Sequence, residues 1–362
     1  MTTLDPTFWR GRRVLVTGHT GFKGAWLVLV LSELGAEVSG YGMGPPSSPS
    51  LFEAADVGSR VDSVEGDVRD LDALHAAVAR SRPEVLFHLA AQALVRRSYD
   101  DPVGTYTTNV IGTANVLETT RKANELRVAV VATSDKCYRL PDDGRPRNED
   151  DPLGGDDPYS SSKACAELVT AAYRDSFADE GAAIASVRAG NVIGGGDWAA
   201  DRLVPDAMRA ALDGGAFVVR NPDAVRPWQH VLCPLAGYAT LAERLWEDRD
   251  AAGAWNFGPD PGGDGPVREV ADRVCRLWDD GLTWRTGGGD GHRPEARILR
   301  VDSTKARERL GWAPRWGLDE ALAATVDWFR AYRDGADLRE VTLAQVQEYL
   351  GTVRGRHPRR SG

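Results

Sequence analysis

A chain of 362 residues is long for one domain and comfortable for two closely joined ones, with enough material to bury a large core. Its 42% hydrophobic and 27% charged residues are those of a soluble globular protein, and a net charge of -9 argues against a nucleic-acid or membrane-surface role for the whole chain. Cys137, Cys165, Cys233 and Cys275 show neither pairing nor metal-ligand spacing, the first residues hold no apolar signal region, and no stretch approaches the roughly 20 apolar residues of a membrane span. The expectation is a cytoplasmic protein with reduced thiols, no metal and no membrane segment.

Residues 13–17 form a short apolar run after a charged lead and read as a buried strand. They run into Gly18-His19-Thr20-Gly21-Phe22-Lys23-Gly24 and then an apolar helical stretch over 25–34. Strand, glycine-rich turn and helix are the context of a phosphate-binding loop. Glycines let the backbone approach a pyrophosphate, and the helix start offers N–H groups and a positive dipole end. Lys23 either adds charge near the phosphates or is solvated. A second strand spans 37–41. The acid that usually holds a ribose, about 20 residues past the glycines, is replaced by Tyr41-Gly42-Met43-Gly44, and no arginine stands there for a 2′-phosphate. NAD is therefore favoured over NADP. A third strand precedes Gly66-Asp67-Val68-Arg69-Asp70, where Asp67 can cap a helix over 71–80. A strand over 84–92 ends in the small residues around Leu89-Ala90-Ala91-Gln92, and Asn109 opens the next helix. The strand over 128–133 delivers Ser134-Asp135-Lys136-Cys137-Tyr138 at its C-terminal end, where open parallel sheets bind ligands.

Tyr159-Ser160-Ser161-Ser162-Lys163 follows. Residues four apart share a helix face, so the Tyr159 phenol and the Lys163 ammonium point the same way. A lysine there favours the phenolate and lowers the tyrosine's pKa, and such a tyrosine can take a proton from a sugar hydroxyl. Only five of the 44 Lys+Arg residues are lysines, and three of them, Lys23, Lys136 and Lys163, fall in these motifs. Lysine's pKa moves readily on burial whereas arginine stays charged.

The second half begins where residues 186–198 leave the sheet and enter a glycine-rich loop beyond Asn191. A helix over 202–212 starts at Arg202. Arg220, Arg226, Trp228 and Gln229 then combine arginines with an aromatic, a set suited to a diphosphate and a base or sugar face. Packing between domains is the other reading of Trp228. A helix over 234–246 returns toward the first half, Arg293 is a further phosphate-binding candidate, and residues 305–310, then 311–316, then a helix over 318–332 complete the final section. The basic residues 354–362 read as a frayed end.

The Gly-x-x-Gly-x-x-Gly spacing of Gly18, Gly21 and Gly24 with the Tyr159/Lys163 pair resembles the extended short-chain dehydrogenase/reductases. Phe8-Trp9-Arg10-Gly11, the 19–24 loop, Ser134-to-Tyr138, 189–198 and 226–231 resemble, within them, the CDP-glucose 4,6-dehydratases. Related dTDP- and GDP-sugar dehydratases carry a glutamate where this chain has Lys136.

The resemblance implies an α/β fold, a Rossmann-type doubly wound parallel sheet with a smaller mixed α/β C-terminal substrate domain. The NAD domain would cover 1–190, completed by about 228–256, and the substrate domain 191–227 and 257–350, leaving a tail over 351–362. It implies NAD held by Gly18, Thr20, Gly21, Phe22, Lys23, Gly24, Asp67 (at the adenine), Val68, Leu89, Ala90, Ala91, Asn109, Tyr159 and Lys163. CDP-glucose would meet Gln92, Ser134, Asn191, Arg202, Arg220, Arg226, Trp228, Gln229 and Arg293. Ser134, Asp135, Lys136, Tyr159 and Lys163 would be catalytic, with Lys136 either the base at C5 or the stabiliser of an enolate. A homodimer or dimer of dimers would pair through helices over 103–124 and 159–180. A sugar-nucleotide 4-epimerase would share Tyr159 and Lys163 but need no acid and base at Asp135 and Lys136. A dinucleotide-sensing regulator would need neither pair.

Overall fold

Val14, Leu15 and Val16 of the first strand, β1 (Arg13–Thr17), are buried, as the continuous apolar run requires of a strand covered on both faces. The structure is a computed structural model that describes residues 4–141, 143–177, 181–287 and 296–351. Five further strands, β2 (Glu37–Gly42), β3 (Asp62–Glu65), β4 (Val85–His88), β5 (Val128–Ala132) and β6 (Ala183–Ala189), join β1 in one sheet. The Gly253–Phe257 strand completes it beside β6. The order is Gly253–Phe257, β6, β5, β4, β1, β2, β3, and every pairing in it is parallel.

The chain steps outward from β1 to β3, then returns to β1's other side at β4 and proceeds the opposite way. Such a reversal opens a crevice at the carboxyl ends of the strands. The glycine loop after β1, Leu89 and Ala90 after β4, Ser134 after β5 and Gly190 after β6 all emerge on that edge. The fold is therefore the expected doubly wound α/β sheet.

The Phe22–Glu33 helix is buried along Gly24–Leu31, because the sheet lies under it and the Leu338–Leu350 helix packs over it. That C-terminal helix, an element the sequence patterns did not single out, is tied down by Gln347 Nε2 donating to Glu33 Oε2 at 2.9 Å. Pro102–Tyr106, a single π-helical turn at Thr107–Ile111 and Gly112–Lys122 run on as one helix, against which the Pro158–Ser176 helix packs. Asn109 thus lies inside a helix rather than opening one.

Expected helix bounds shift by a residue or two: Leu203–Leu212 with Arg202 as its N-cap residue, Leu232–Glu247 and Leu318–Arg333; a further helix covers Thr304–Leu310. One cap is corrected. Asp70, not Asp67, caps the Leu71–Ser81 helix, accepting from Ala73 N, because Asp67 is occupied by Arg69. Beside the sheet's carboxyl edge, three two-stranded ribbons pair Val192–Ile193 with Gln229–His230, Val225–Pro227 with Asp264–Pro266, and Ala216–Val219 with Thr283–Thr286. Together with the Leu203–Leu212 and Val267–Trp278 helices they wall the crevice.

Candidate active site

The loop after β1 is shaped for close backbone approach. Gly18 has φ +73, and a Cβ there would lie 2.6 Å from Ala90 N. At Gly24 it would lie 2.1 Å from Gly18 O, so glycine alone lets the helix start sit on the loop. At Gly21 it would meet only Gly18 O, at 3.4 Å, which leaves that side open. The helix carries no side-chain cap, so its first-turn N–H groups remain for an anion. This cradle fits the diphosphate of a dinucleotide. Leu89 and Ala90 form its far wall, with Leu89 N bonded to Thr17 O at 3.0 Å and Ala90 N to Thr17 Oγ1 at 3.4 Å.

Several expected cofactor contacts are instead spent on the protein. Thr20 Oγ1 donates to Met43 O at 2.7 Å and ties the loop to the end of β2. Asp67 accepts from Arg69 N at 2.9 Å and Arg69 Nε at 2.8 Å, and the guanidinium holds its carboxyl below the usual range. Tyr41, standing near where a ribose acid is usual, is buried and donates to Asp67 O at 3.0 Å. Val68 is buried against Gly112. Asn109 is fully engaged. Its Nδ2 donates to Gln92 O at 3.0 Å and Ser162 Oγ at 2.8 Å, and its Oδ1 accepts from Gln92 N at 2.9 Å. It holds the Tyr159 helix to the end of β4 and does so with no free polar atom.

Tyr159 and Lys163 lie on one face of the Pro158–Ser176 helix and are both buried. Asp157 caps that helix through Ser160 N at 2.9 Å, and Ser98 Oγ accepts from Tyr159 N at 3.1 Å. The expected lowering of the tyrosine's pKa does not hold. Burial raises the phenol above its ordinary value, and a hydrogen bond with Ser134 and the charge of Arg202 offset that only in part. Lys163 Nζ donates to Ala132 O at 3.2 Å, and burial, then the nearby Lys23 charge, brings its pKa down to about 8.

Across the cleft, the turn after β5 presents Ser134, Asp135 and Lys136. Ser134 Oγ donates to Asp135 Oδ1 at 3.0 Å, while Asp135 Oδ2 is buried and finds no donor among the described residues. Burial raises the Asp135 carboxyl against the opposing charges of Lys136, Lys23 and Arg226. A carboxyl so placed suits proton donation. Lys23 lines this same cleft, where its charge acts on Asp135 and Lys163 and burial lowers its own pKa to about 8.

Asn191, Arg202, Arg220, Arg226 and Trp228 line the cleft. Arg202 pairs with Asp197 at 3.4 Å and Arg220 with Asp201 at 2.7 Å. Arg226 is buried, with Nη1 donating to Val225 O at 2.9 Å. Trp228 is mainly a packing residue, buried with Nε1 on Gly265 O at 3.2 Å. Two amides, Gln92 and Gln229, are not among the residues lining the cleft. Gln92 Nε2 donates to Leu94 O and Thr105 Oγ1, both at 3.0 Å, and its Oε1 accepts from Leu94 N at 2.7 Å. Gln229 is buried with Nε2 on Phe257 O at 2.7 Å. Arg293 lies outside the described residues. Sequence reasoning missed Asp197, whose buried carboxylate sits in the cleft with Lys23 and Arg202; an acid closing a triple-glycine run was the available signal. Among the described residues no helix is long and apolar enough to cross a membrane.

The model of the NAD dependent epimerase/dehydratase family matches residues 14–243. The chain is 46% identical over 357 residues to the CDP-glucose 4,6-dehydratase of Salmonella typhimurium, covering 97% of this chain and 99% of that protein. It is 29% identical over 326 residues to the UDP-glucose 4-epimerase of Mycolicibacterium smegmatis, covering 88% and 98%. The crystal structure of Thermus thermophilus UDP-glucose 4-epimerase in complex with NAD matches with a TM-score of 0.75 at 26% identity, over 88% of this chain and 99% of that one. A glycine cradle after β1, a buried Tyr159/Lys163 pair and near-complete coverage of such relatives agree: the chain belongs to the NAD-dependent epimerase/dehydratase family.

Proposed function

We propose that this protein dehydrates CDP-glucose to CDP-4-keto-6-deoxyglucose with NAD as its cofactor. The observation that carries the reaction type is the Ser134-Asp135-Lys136 turn facing Tyr159 in one cleft. An epimerase needs only the tyrosine and lysine. The cytidine nucleotide rests on the 46% identity to the Salmonella CDP-glucose enzyme.

The cradle of Gly18, Gly21 and Gly24 would hold the dinucleotide's diphosphate, and Lys163 would reach toward its ribose. When bound, NAD supplies reversible hydride transfer, accepting from C4 of the sugar and returning to C6. Tyr159 takes the proton from the 4-hydroxyl, with Ser134 hydrogen-bonded to the same oxygen. The C4 ketone so formed acidifies the C5 hydrogen. Lys136 removes that proton or, as an ammonium, stabilises the enolate while another group takes the proton, and a proton returns to C5 when hydride reaches C6. Asp135 protonates the departing C6 hydroxyl, which leaves as water. The burial that raises Asp135's pKa supports its part, because a proton donor must be protonated when the leaving group departs. Arg202, Arg220 and Arg226 supply positive charge for the substrate's diphosphate.

The chain divides, in this reading, into a dinucleotide-binding part over 1–190 completed by 228–256, and a substrate part over 191–227 and 257–350. It pairs with a second copy through the two helices that carry the exposed apolar side chains of Val103, Ile111 and Leu168. The test is incubation of purified protein with CDP-glucose without added NAD, following the alkali-induced absorbance of a 4-keto-6-deoxy sugar, beside dTDP-, UDP- and GDP-sugars. Signal with CDP-glucose is expected. Signal with another nucleotide alone overturns the substrate, an epimer as product overturns the reaction, and silence with added NAD overturns enzymatic activity in favour of a dinucleotide-sensing role.

A further inference from the structure

Behind the catalytic turn lies a buried ion pair that the chemistry above does not use. Glu167, one helical turn past Lys163, and Arg188 on β6 are both 3% exposed. Arg188 Nε donates to Glu167 Oε1 at 2.9 Å and Nη2 to Oε2 at 2.8 Å, a two-pronged contact. The same carboxylate accepts from Ser186 Oγ at 2.7 Å and from Thr133 Oγ1. Thr133 is the residue before Ser134, and its N–H is bonded to Val187 O at 2.9 Å.

The guanidinium's remaining arm reaches the other end of the turn. Arg188 Nη1 donates to Tyr138 Oη at 2.7 Å, and its cation lies 4.9 Å from the centre of that ring. Tyr138 Oη donates onward to Asn256 Oδ1 at 2.7 Å, and Asn256 Nδ2 is held by Arg147 O at 2.9 Å and Asp302 O at 3.0 Å. Tyr138 and Asn256 are themselves buried. The ion pair therefore grips the turn on both sides, through Thr133 before it and Tyr138 after it.

Desolvating such a pair costs about as much as its attraction returns, so stability alone accounts poorly for it. Orientation accounts for it better, since the turn carries Asp135 and Lys136 while Glu167 shares a helix with Tyr159 and Lys163. We propose that Glu167, Arg188 and Tyr138 are positioning residues for elimination, clamping the Asp135-Lys136 turn at the distance from Tyr159 and Lys163 that lets one sugar meet both. This rests on the dehydratase reading above.

Tyr138→Phe tests it with least risk to folding, since ring and volume stay and Arg188 Nη1 keeps Glu149 O at 3.2 Å. Dehydration kcat is expected to fall about tenfold to a hundredfold, the cost of misplacing reacting groups by a fraction of an ångström to 1 Å. KM for CDP-glucose stays within about twofold, since a lost positioning contact acts on kcat. Oxidation at C4 is served by the helix side and outruns elimination, so the near-ultraviolet absorbance of reduced nicotinamide rises during turnover above its wild-type level. Glu167→Gln, which loosens the Thr133 end, should shift the same partition the same way. Wild-type kcat in Tyr138→Phe overturns the proposal, as does a loss of rate with lowered thermal midpoint and unchanged absorbance, the mark of a merely structural role. A wild-type protein silent toward every sugar nucleotide overturns the dehydratase reading and this clamp together, whereas failure confined to the variants overturns the clamp alone.

Discussion

Gly190, the first residue past β6, offers a measurement of how tightly the candidate acid is seated. A Cβ at this position would stand 2.4 Å from Pro227 Cγ, 2.7 Å from Asp135 Oδ2 and 3.2 Å from Pro227 O, where ordinary contact begins at 3.4 Å. To reach ordinary contact the new methyl and the Asp135 carboxyl must part by about 0.7 Å, and the methyl and the Pro227 ring by about 1 Å. Overpacking of this kind costs about 1–3 kcal/mol of stability. The functional loss should exceed what that cost suggests, because a displacement of about 1 Å in a catalytic group lowers rate on the order of a hundredfold. Gly190→Ala should therefore purify folded, with a thermal midpoint lower by several degrees, and show dehydration kcat down by that factor. Gly215→Ala, where a Cβ meets nothing nearer than Ala210 O at 3.8 Å, is the matched control and should behave as wild type. Wild-type turnover in Gly190→Ala would refute the reasoning, showing either that Asp135 has slack or that it is not the acid.

Gly24→Ala drives a methyl to 2.1 Å from Gly18 O and should yield protein with little bound NAD, measured by release on denaturation; full occupancy would contradict the cradle. The Lys163 ammonium, lowered to about 8 by burial and then by Lys23, discharges as pH rises through that value, so turnover should fall on the alkaline side. Lys23→Met removes one cause of the lowering, so Lys163's pKa rises and the alkaline limb moves to higher pH, whereas Lys23→Arg leaves it in place; a limb unmoved in Lys23→Met contradicts this account. Leu168→Glu puts a charge on the exposed apolar face with Val103 and Ile111 and should convert a dimer to monomer in sedimentation velocity, a result absent if the helices do not pair.

Short-range physics made much of this protein legible from its residues alone. The apolar run of β1, the glycines at 18, 21 and 24 and the helix beyond them determine one another within two dozen residues, and the structure reproduces β1 residue for residue. The Ser134-to-Tyr138 turn was likewise visible, because an apolar strand ending in polar residues must expose them at the sheet's edge. What the sequence left open was the use of each polar side chain. Thr20, Gln92, Asn109 and Gln229 look like ligand contacts by type and position. Their partners, Met43, Thr105, Ser162 and Phe257, lie 13 to 53 residues away, and only the folded chain brings them near. The Tyr159 phenol went the other way from its motif for the same reason. Spacing sets which lysine shares its helix face, but the burial that raises the phenol's pKa, and the distant Arg202 charge that partly offsets it, come only with the folded chain. Local pattern determines which groups arrive at the cleft, and desolvation and long-range hydrogen bonds, which are properties of the tertiary structure, decide which remain free to act.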